Sequence, residues 1–159
     1  KNNRAKLNKR PIIDDSTHTM TADDMALDSI SGLSEFRGNA VYRSKDSTKG
    51  FDMIANNIKT NNKKNSLLAT QSPLLLLKQD RDSIYIAADT FYFTFLTDST
   101  KEDSTDKYFE AYYNVKIFSD SMQSVGDSLF YALKDSVFRL FKSPVVWAQA
   151  NQVTGDTIY

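Results

Sequence analysis

Five copies of one short pattern constrain this chain more than any other feature. A small residue is followed by Asp or Asn, then by one variable residue, then by an apolar side chain. The copies are Ala22-Asp23-Asp24-Met25, Ala55-Asn56-Asn57-Ile58, Ala88-Asp89-Thr90-Phe91, Gly126-Asp127-Ser128-Leu129 and Gly155-Asp156-Thr157-Ile158. They recur at intervals of 33, 33, 38 and 29 residues. A period in this range marks architectures built from stacked or wrapped units. The small residue lets two backbones approach closely, and the Asp or Asn can bond nearby amides at a bend. Ser72-Pro73-Leu74-Leu75 and Ser143-Pro144-Val145-Val146 add a second recurring element. Proline suits the first position of a strand, where no ladder donor is needed. Each repeat would supply two or three short strands that cannot bury their apolar face alone. Repeats laid side by side then make two facing sheets.

The residues between the copies alternate as strands do. Phe91, Phe93 and Phe95 share one parity, with Tyr92 and Thr94 between them. Val115 and Ile117, Leu129 and Tyr131, and Phe138 and Leu140 repeat the spacing. Period-two alternation in such residues argues for half-buried strands. Glu occurs only at Glu35, Glu102 and Glu110, so nearly all the acid is Asp. Asp and Ser compete for the backbone and favour turns, as at Asp28-Ser29, Asp82-Ser83 and Asp120-Ser121. The best helical candidate, Ala22 to Leu33, has ambiguous spacing and no credible caps. Thr60–Ser66 and Thr97–Lys107 lack apolar rhythm and are expected as exposed loops. The expectation is one all-β domain over 19–159, an antiparallel jellyroll or open two-sheet sandwich. Residues 1–18 are expected to form a flexible basic tail carrying Lys1, Arg4, Lys6, Lys9 and Arg10.

Composition excludes several function classes. Twenty basic residues balance twenty acidic ones, so no surplus exists to neutralise nucleic-acid phosphates. With no Cys, disulfides, thiolate catalysis and Cys-based metal sites are ruled out. No apolar run reaches the length of a membrane-spanning helix. The first residue is Lys, so a processed or trimmed N-terminus is expected. The sole histidine, His18, falls in the expected tail, and the five glycines form no phosphate loop. Asp98, Glu102, Asp103 and Asp106 lack the ligand spacing and bend glycine of a calcium loop. No enzyme and no cofactor is expected. A glycan-active pair of aspartates is the distant catalytic alternative.

The stretch from Tyr113 to Tyr159 resembles the OstA-like family of periplasmic lipopolysaccharide-transport proteins. The likeness lies in the order Asn114-Val115-Lys116-Ile117, Gly126-Asp127-Ser128-Leu129-Phe130-Tyr131, Ser143-Pro144-Val145-Val146-Trp147 and Val153-Thr154-Gly155-Asp156-Thr157-Ile158-Tyr159. Gly38-Asn39-Ala40-Val41-Tyr42 and Thr21-Ala22-Asp23-Asp24-Met25 look like an earlier round of the unit. The resemblance implies a twisted jellyroll, open like a V, that holds lipopolysaccharide acyl chains in an apolar trough. It implies a location in the periplasm or at the periplasmic face of the outer membrane, and a part in outer-membrane assembly. Implied partners are lipopolysaccharide or lipid A, other jellyroll domains docked through edge strands, and further copies of the chain. The pattern breaks off mid-strand at Tyr159, as it would in part of a longer protein. The loop around Thr97 to Lys107 is longer than the family's compact repeat.

Ten residues are candidates for the lipid-lining wall: Phe91, Phe93, Phe95, Val115, Ile117, Leu129, Tyr131, Phe138, Leu140 and Trp147. In a closed sandwich the same alternation would make an ordinary core. The alternative function is therefore a structural or adhesive β-repeat module without a lipid site. The strand from Val153 to Tyr159 is the candidate docking edge, open to strand addition from a partner or to pairing within the chain.

Overall fold

The structure, a computed structural model, describes the backbone of residues 3–46, 50–78, 83–97, 105–132 and 134–159. Side chains of the same residues are described except at 95–97, 105 and 106. Every regular element among them is a strand. In order these are β1 (Arg4–Asn8), β2 (Ile12–Asp14), β3 (His18–Thr21), β4 (Asp24–Asp28), β5 (Leu33–Ser44), β6 (Phe51–Asn61), β7 (Ser66–Thr70) and β8 (Leu74–Lys78). There follow β9 (Ser83–Ala87), β10 (Thr90–Thr97), β11 (Thr105–Phe118), β12 (Met122–Ala132), β13 (Val137–Phe141), β14 (Val145–Ala148), β15 (Asn151–Thr154) and β16 (Thr157–Ile158). The expected all-β, antiparallel class is what the chain adopts.

The four longest strands, β5, β6, β11 and β12, run through both sheets. One sheet has the order β1-β4-β5-β6-β7-β10-β11-β12-β13-β16. The other runs β2-β3-β5-β6-β8-β9-β11-β12-β14-β15. They part along a seam where every pass of the chain bends. Registers break there, between Arg37 and Ala40 in β5 and between Tyr112 and Val115 in β11. Two kinds of crossing alternate. One kind is the small-Asp/Asn pair of the repeat. The other is two successive residues in the left-handed region: Lys9-Arg10, Gly38-Asn39, Gln71-Ser72, Tyr113-Asn114 and Lys142-Ser143.

Neighbouring crossings are tied to each other. The Asp23 amide donates to the Gly38 carbonyl at 2.9 Å, Asn56 to Gln71 at 3.1 Å and Asp89 to Tyr113 at 3.0 Å. Asn39 Nδ2 donates to Asp23 Oδ2 at 2.9 Å, and Asn114 Nδ2 to Asp89 Oδ2 at the same distance. At these two crossings the repeated Asp is an acceptor for the left-handed Asn beside it, which steadies a costly backbone. Ala22, Ala40, Ala55 and Ala88 are buried at the seam, where larger side chains would hold the sheets apart.

Away from the seam, strand parity sorts apolar side chains inward. In the first sheet, registered partners form a ladder Met25-Phe36-Ile58-Ala69-Phe91-Ala111-Leu129-Leu140, all buried. In the second, Met53-Leu75-Ile86-Ile117 does the same. The core is the space between these walls.

Two expectations need correction. The stretch before residue 19 is no tail: β1 pairs with β4 from Arg4↔Asp28 to Asn8↔Asp24, and β2 pairs with β3. Its charges misled because Arg4 and Lys6 occupy one face of β1 while Ala5 and Leu7 occupy the other. Arg4 Nε also reaches Asp28 Oδ2 at 3.0 Å. The loop expected over Thr97–Lys107 is shorter, because β10 and β11 stay paired out to Thr97↔Thr105. Residues 98–104, with the candidate acids Asp98, Glu102 and Asp103, lie outside the described residues, as does the Asp106 side chain. The turn expected over Thr60–Ser66 is present between β6 and β7 but spans only 62–65, since Asn61 pairs with Ser66.

Two tests follow from the seam and the N-terminal hairpin. Gly38 has φ +71°, and an added Cβ would meet Asp23 Oδ2 at 2.5 Å. Gly38→Ala should lower stability by about 1–3 kcal/mol in urea melts. At the β2–β3 turn, Asp15 Oδ1 accepts from the amides of Thr17 at 2.7 Å and His18 at 2.9 Å. The bond from Thr17, then that from His18, lowers its pKa from 3.8 to about 2. A carboxylate depressed by folding stabilises above its unfolded value and withdraws that stability as pH falls through its folded value. Protection of the Thr17 and His18 amides, measured against the intrinsic exchange rate at each pH, should therefore fall as pH drops from 3.8 to about 2. Asp15→Asn should remove that dependence.

A candidate apolar-ligand interior

Seven of the ten candidate wall residues meet inside the sandwich. Phe91, Phe93, Val115, Ile117, Leu129, Tyr131 and Leu140 are all buried, and Phe138 is partly buried against them. They arrive there because β10, β11, β12 and β13 are adjacent in the first sheet, while the far half of β11 lies in the second. Phe95 sits in β10 opposite Lys107, and its side chain lies outside the described residues. Trp147 is corrected. It is 40% exposed and faces outward, whereas its neighbour Val146 packs inward.

The rest of the wall comes from residues of both sheets that sequence reasoning did not single out. Met20, Phe36, Met53, Leu75, Leu77, Ile84, Ile86 and Phe109 complete the interior. In Leu74–Leu77 the signal is hidden, because four leucines in a row show no parity. Register supplies it: Leu75 pairs with Ile86 and faces in, while Leu74 is 36% exposed.

A file of aromatic rings runs through this interior. His18 stacks on Tyr42 with centroids 4.7 Å apart, Tyr42 on Phe51 at 4.9 Å, and Phe51 on Phe93 at 4.7 Å. Phe93 continues to Phe109 at 5.1 Å, Phe109 to Tyr131 at 5.2 Å and Tyr131 to Phe138 at 4.5 Å. The Phe51–Phe93 contact joins the two sheets on the side away from the seam. Separations of this kind suit offset aromatic pairs, which gain about 0.5–1.5 kcal/mol beyond their burial. The surroundings are dry enough that burial pushes the Tyr42 phenol up to about 12. His18, expected as an exposed tail residue, instead begins this file from β3.

The ends of the sandwich differ from its middle. Among the described residues β1, β2, β15 and β16 each pair on one side only. The expected docking edge therefore pairs within the chain, β15 with β14 and β16 with β13, and leaves its outer side unpaired. Apolar side chains of the inner parity are uncovered there, with Leu7 40% exposed at one end and Val153 52% exposed at the other.

Comparison with known proteins places the fold. No protein-family model matches the chain, and no curated protein matches it in sequence. Among solved structures it is similar to LptH from Pseudomonas aeruginosa, described as the LptA-homologous periplasmic component of the conserved lipopolysaccharide transport device. The TM-score is 0.63 at 15% identity, over 83% of this chain and 82% of that one. The chain thus shares the jellyroll fold of a periplasmic transport component, as the OstA-like resemblance implied.

Proposed function

We propose that this chain is a periplasmic lipopolysaccharide-binding domain that holds acyl chains between its two sheets and assists outer-membrane assembly. The observation that carries it is one-sided closure around an apolar interior. Backbone continuity and hydrogen bonds bind the sheets along the seam, whereas ring contacts such as Phe51–Phe93 join them opposite. Parting those rings uncovers a wall of Phe, Ile, Leu and Met with little polar interruption. An acyl chain of about a dozen methylenes gains roughly 10 kcal/mol on burial, at about 0.8 kcal/mol each. Separating a few ring pairs costs less than that. The phosphorylated sugars of lipid A would remain in water at the free margin. Unpaired edges at β1, β2, β15 and β16 suit strand addition from neighbouring jellyrolls or further copies. The similarity of fold to LptH supports the same function and location.

One observation favours the alternative, a structural or adhesive β-repeat module. Phe91, Met53, Ile58, Leu75 and Ile86 are wholly buried by protein alone, so the interior is filled without a ligand. A photocrosslinking residue at Phe93 or Leu129 separates the two. The carrier should label with lipid A from either position, and not from Tyr92 on the outer face of β10. Lipid A should also raise the melting temperature, as a ligand of the native state does. Absence of both labelling and stabilisation would sink the carrier and leave the module.

A further inference from the structure

Trp147 lines no interior, yet it is held in place on the outer surface of the second sheet. Its Nε1 donates to Gln152 Oε1 at 2.9 Å, which fixes the ring while leaving it 40% exposed. It borders a cleft of about 590 Å³ between the β11–β12 and β14–β15 turns. Asp120, Gln123 and Gln149 line the same cleft. Register extends the surface sideways: Tyr85 lies opposite Phe118, Phe118 opposite Gln123, Gln123 opposite Trp147 and Trp147 opposite Gln152. Tyr85 is 43% exposed and Phe118 51%. A strand spacing of about 4.8 Å puts Phe118 and Trp147 roughly 10 Å apart, with an amide between them.

We propose that this outer face binds a neutral oligosaccharide lying across the strands, at a site separate from the interior. A pyranose ring offers an apolar C–H face and a rim of hydroxyls. Exposed aromatic rings take the face, and Gln side chains, each with donors and an acceptor, take the rim. The charge pattern selects this partner. Asp120 lines the cleft and exposed Lys116 lies two residues from Phe118 on the same face, so the surface carries one charge of each sign and no cationic cluster to hold a phosphate or anionic headgroup. A bilayer is disfavoured as well, since burying the Gln123, Gln149 and Gln152 side-chain amides in lipid takes donors away from water. The fixed indole loses little freedom when a sugar stacks on it.

Trp147 is the chain's single tryptophan, so its emission reports on the site alone. Titration with maltohexaose, cellohexaose and chitohexaose at millimolar concentration should give a saturable emission change with at least one of them. Phe118→Ala, which keeps the reporter, should weaken that binding about tenfold. Trp147→Ala should abolish the binding heat in calorimetry while circular dichroism stays unchanged. No emission change with any of the three sugars overturns the proposal, as does wild-type affinity in Phe118→Ala. A response to phosphatidylglycerol vesicles alone overturns it in favour of membrane contact. Lipid A labelling from Phe93 is unaffected in every case, so the two functions fail separately.

Discussion

Everything in this fold hangs from the seam at which the chain bends on each pass. A flat antiparallel sheet of these strands would leave one apolar face in water. Bending every strand at the same level turns that face onto itself. The bend has two requirements, a small side chain where the backbones converge and a left-handed pair on the alternate crossing. Left-handed non-glycine residues are costly, by about 1–2 kcal/mol each. The Asn39–Asp23 and Asn114–Asp89 bonds offset part of that cost. Steric space and hydrogen bonding thus coincide at Asp23 and Asp89.

From the seam outward, function becomes a question of what fills the wedge. Alanines occupy its narrow end, and rings occupy the wide end. The ring file is cohesive enough to shut the free margin, and its Phe members, Phe51, Phe93, Phe109 and Phe138, have no side-chain hydrogen bonds to lose where a hydrocarbon replaces their ring contacts. A core of buried polar groups would resist such exchange, since each unpaired group costs energy. The filled interior and the proposed carrier are therefore compatible: the side chains that close the empty molecule are those that would line a loaded one.

The legibility of the chain follows the same physics. The five small-Asp/Asn crossings could be read directly because residue type and backbone demand agree there. Crossings such as Lys9-Arg10 and Lys142-Ser143 could not, because neither Gly nor Asn marks their left-handed geometry. The wall in β10 to β13 was visible from clean alternation, whereas Leu74–Leu77 hid its parity in an unbroken run. Trp147 went to the wrong side for the same reason: Val145-Val146-Trp147 is apolar at every position, and pairing with Gln123 decides its direction. The first strand escaped notice because Arg4 and Lys6 read as a charged tail until Asp28 and β4 are placed beside them.

The uncovered ends have a thermodynamic consequence. The described terminal strands leave Leu7 uncovered at one end and Val153 at the other, positions of the kind that a neighbouring unit covers in repeat proteins. Under the proposed docking, covering those ends would add to the stability that the chain has alone. Were the covering strand to come from a further copy of the chain, mass action would make the midpoint of unfolding climb with protein concentration. Crowded neighbours of like architecture would act on it as a ligand does.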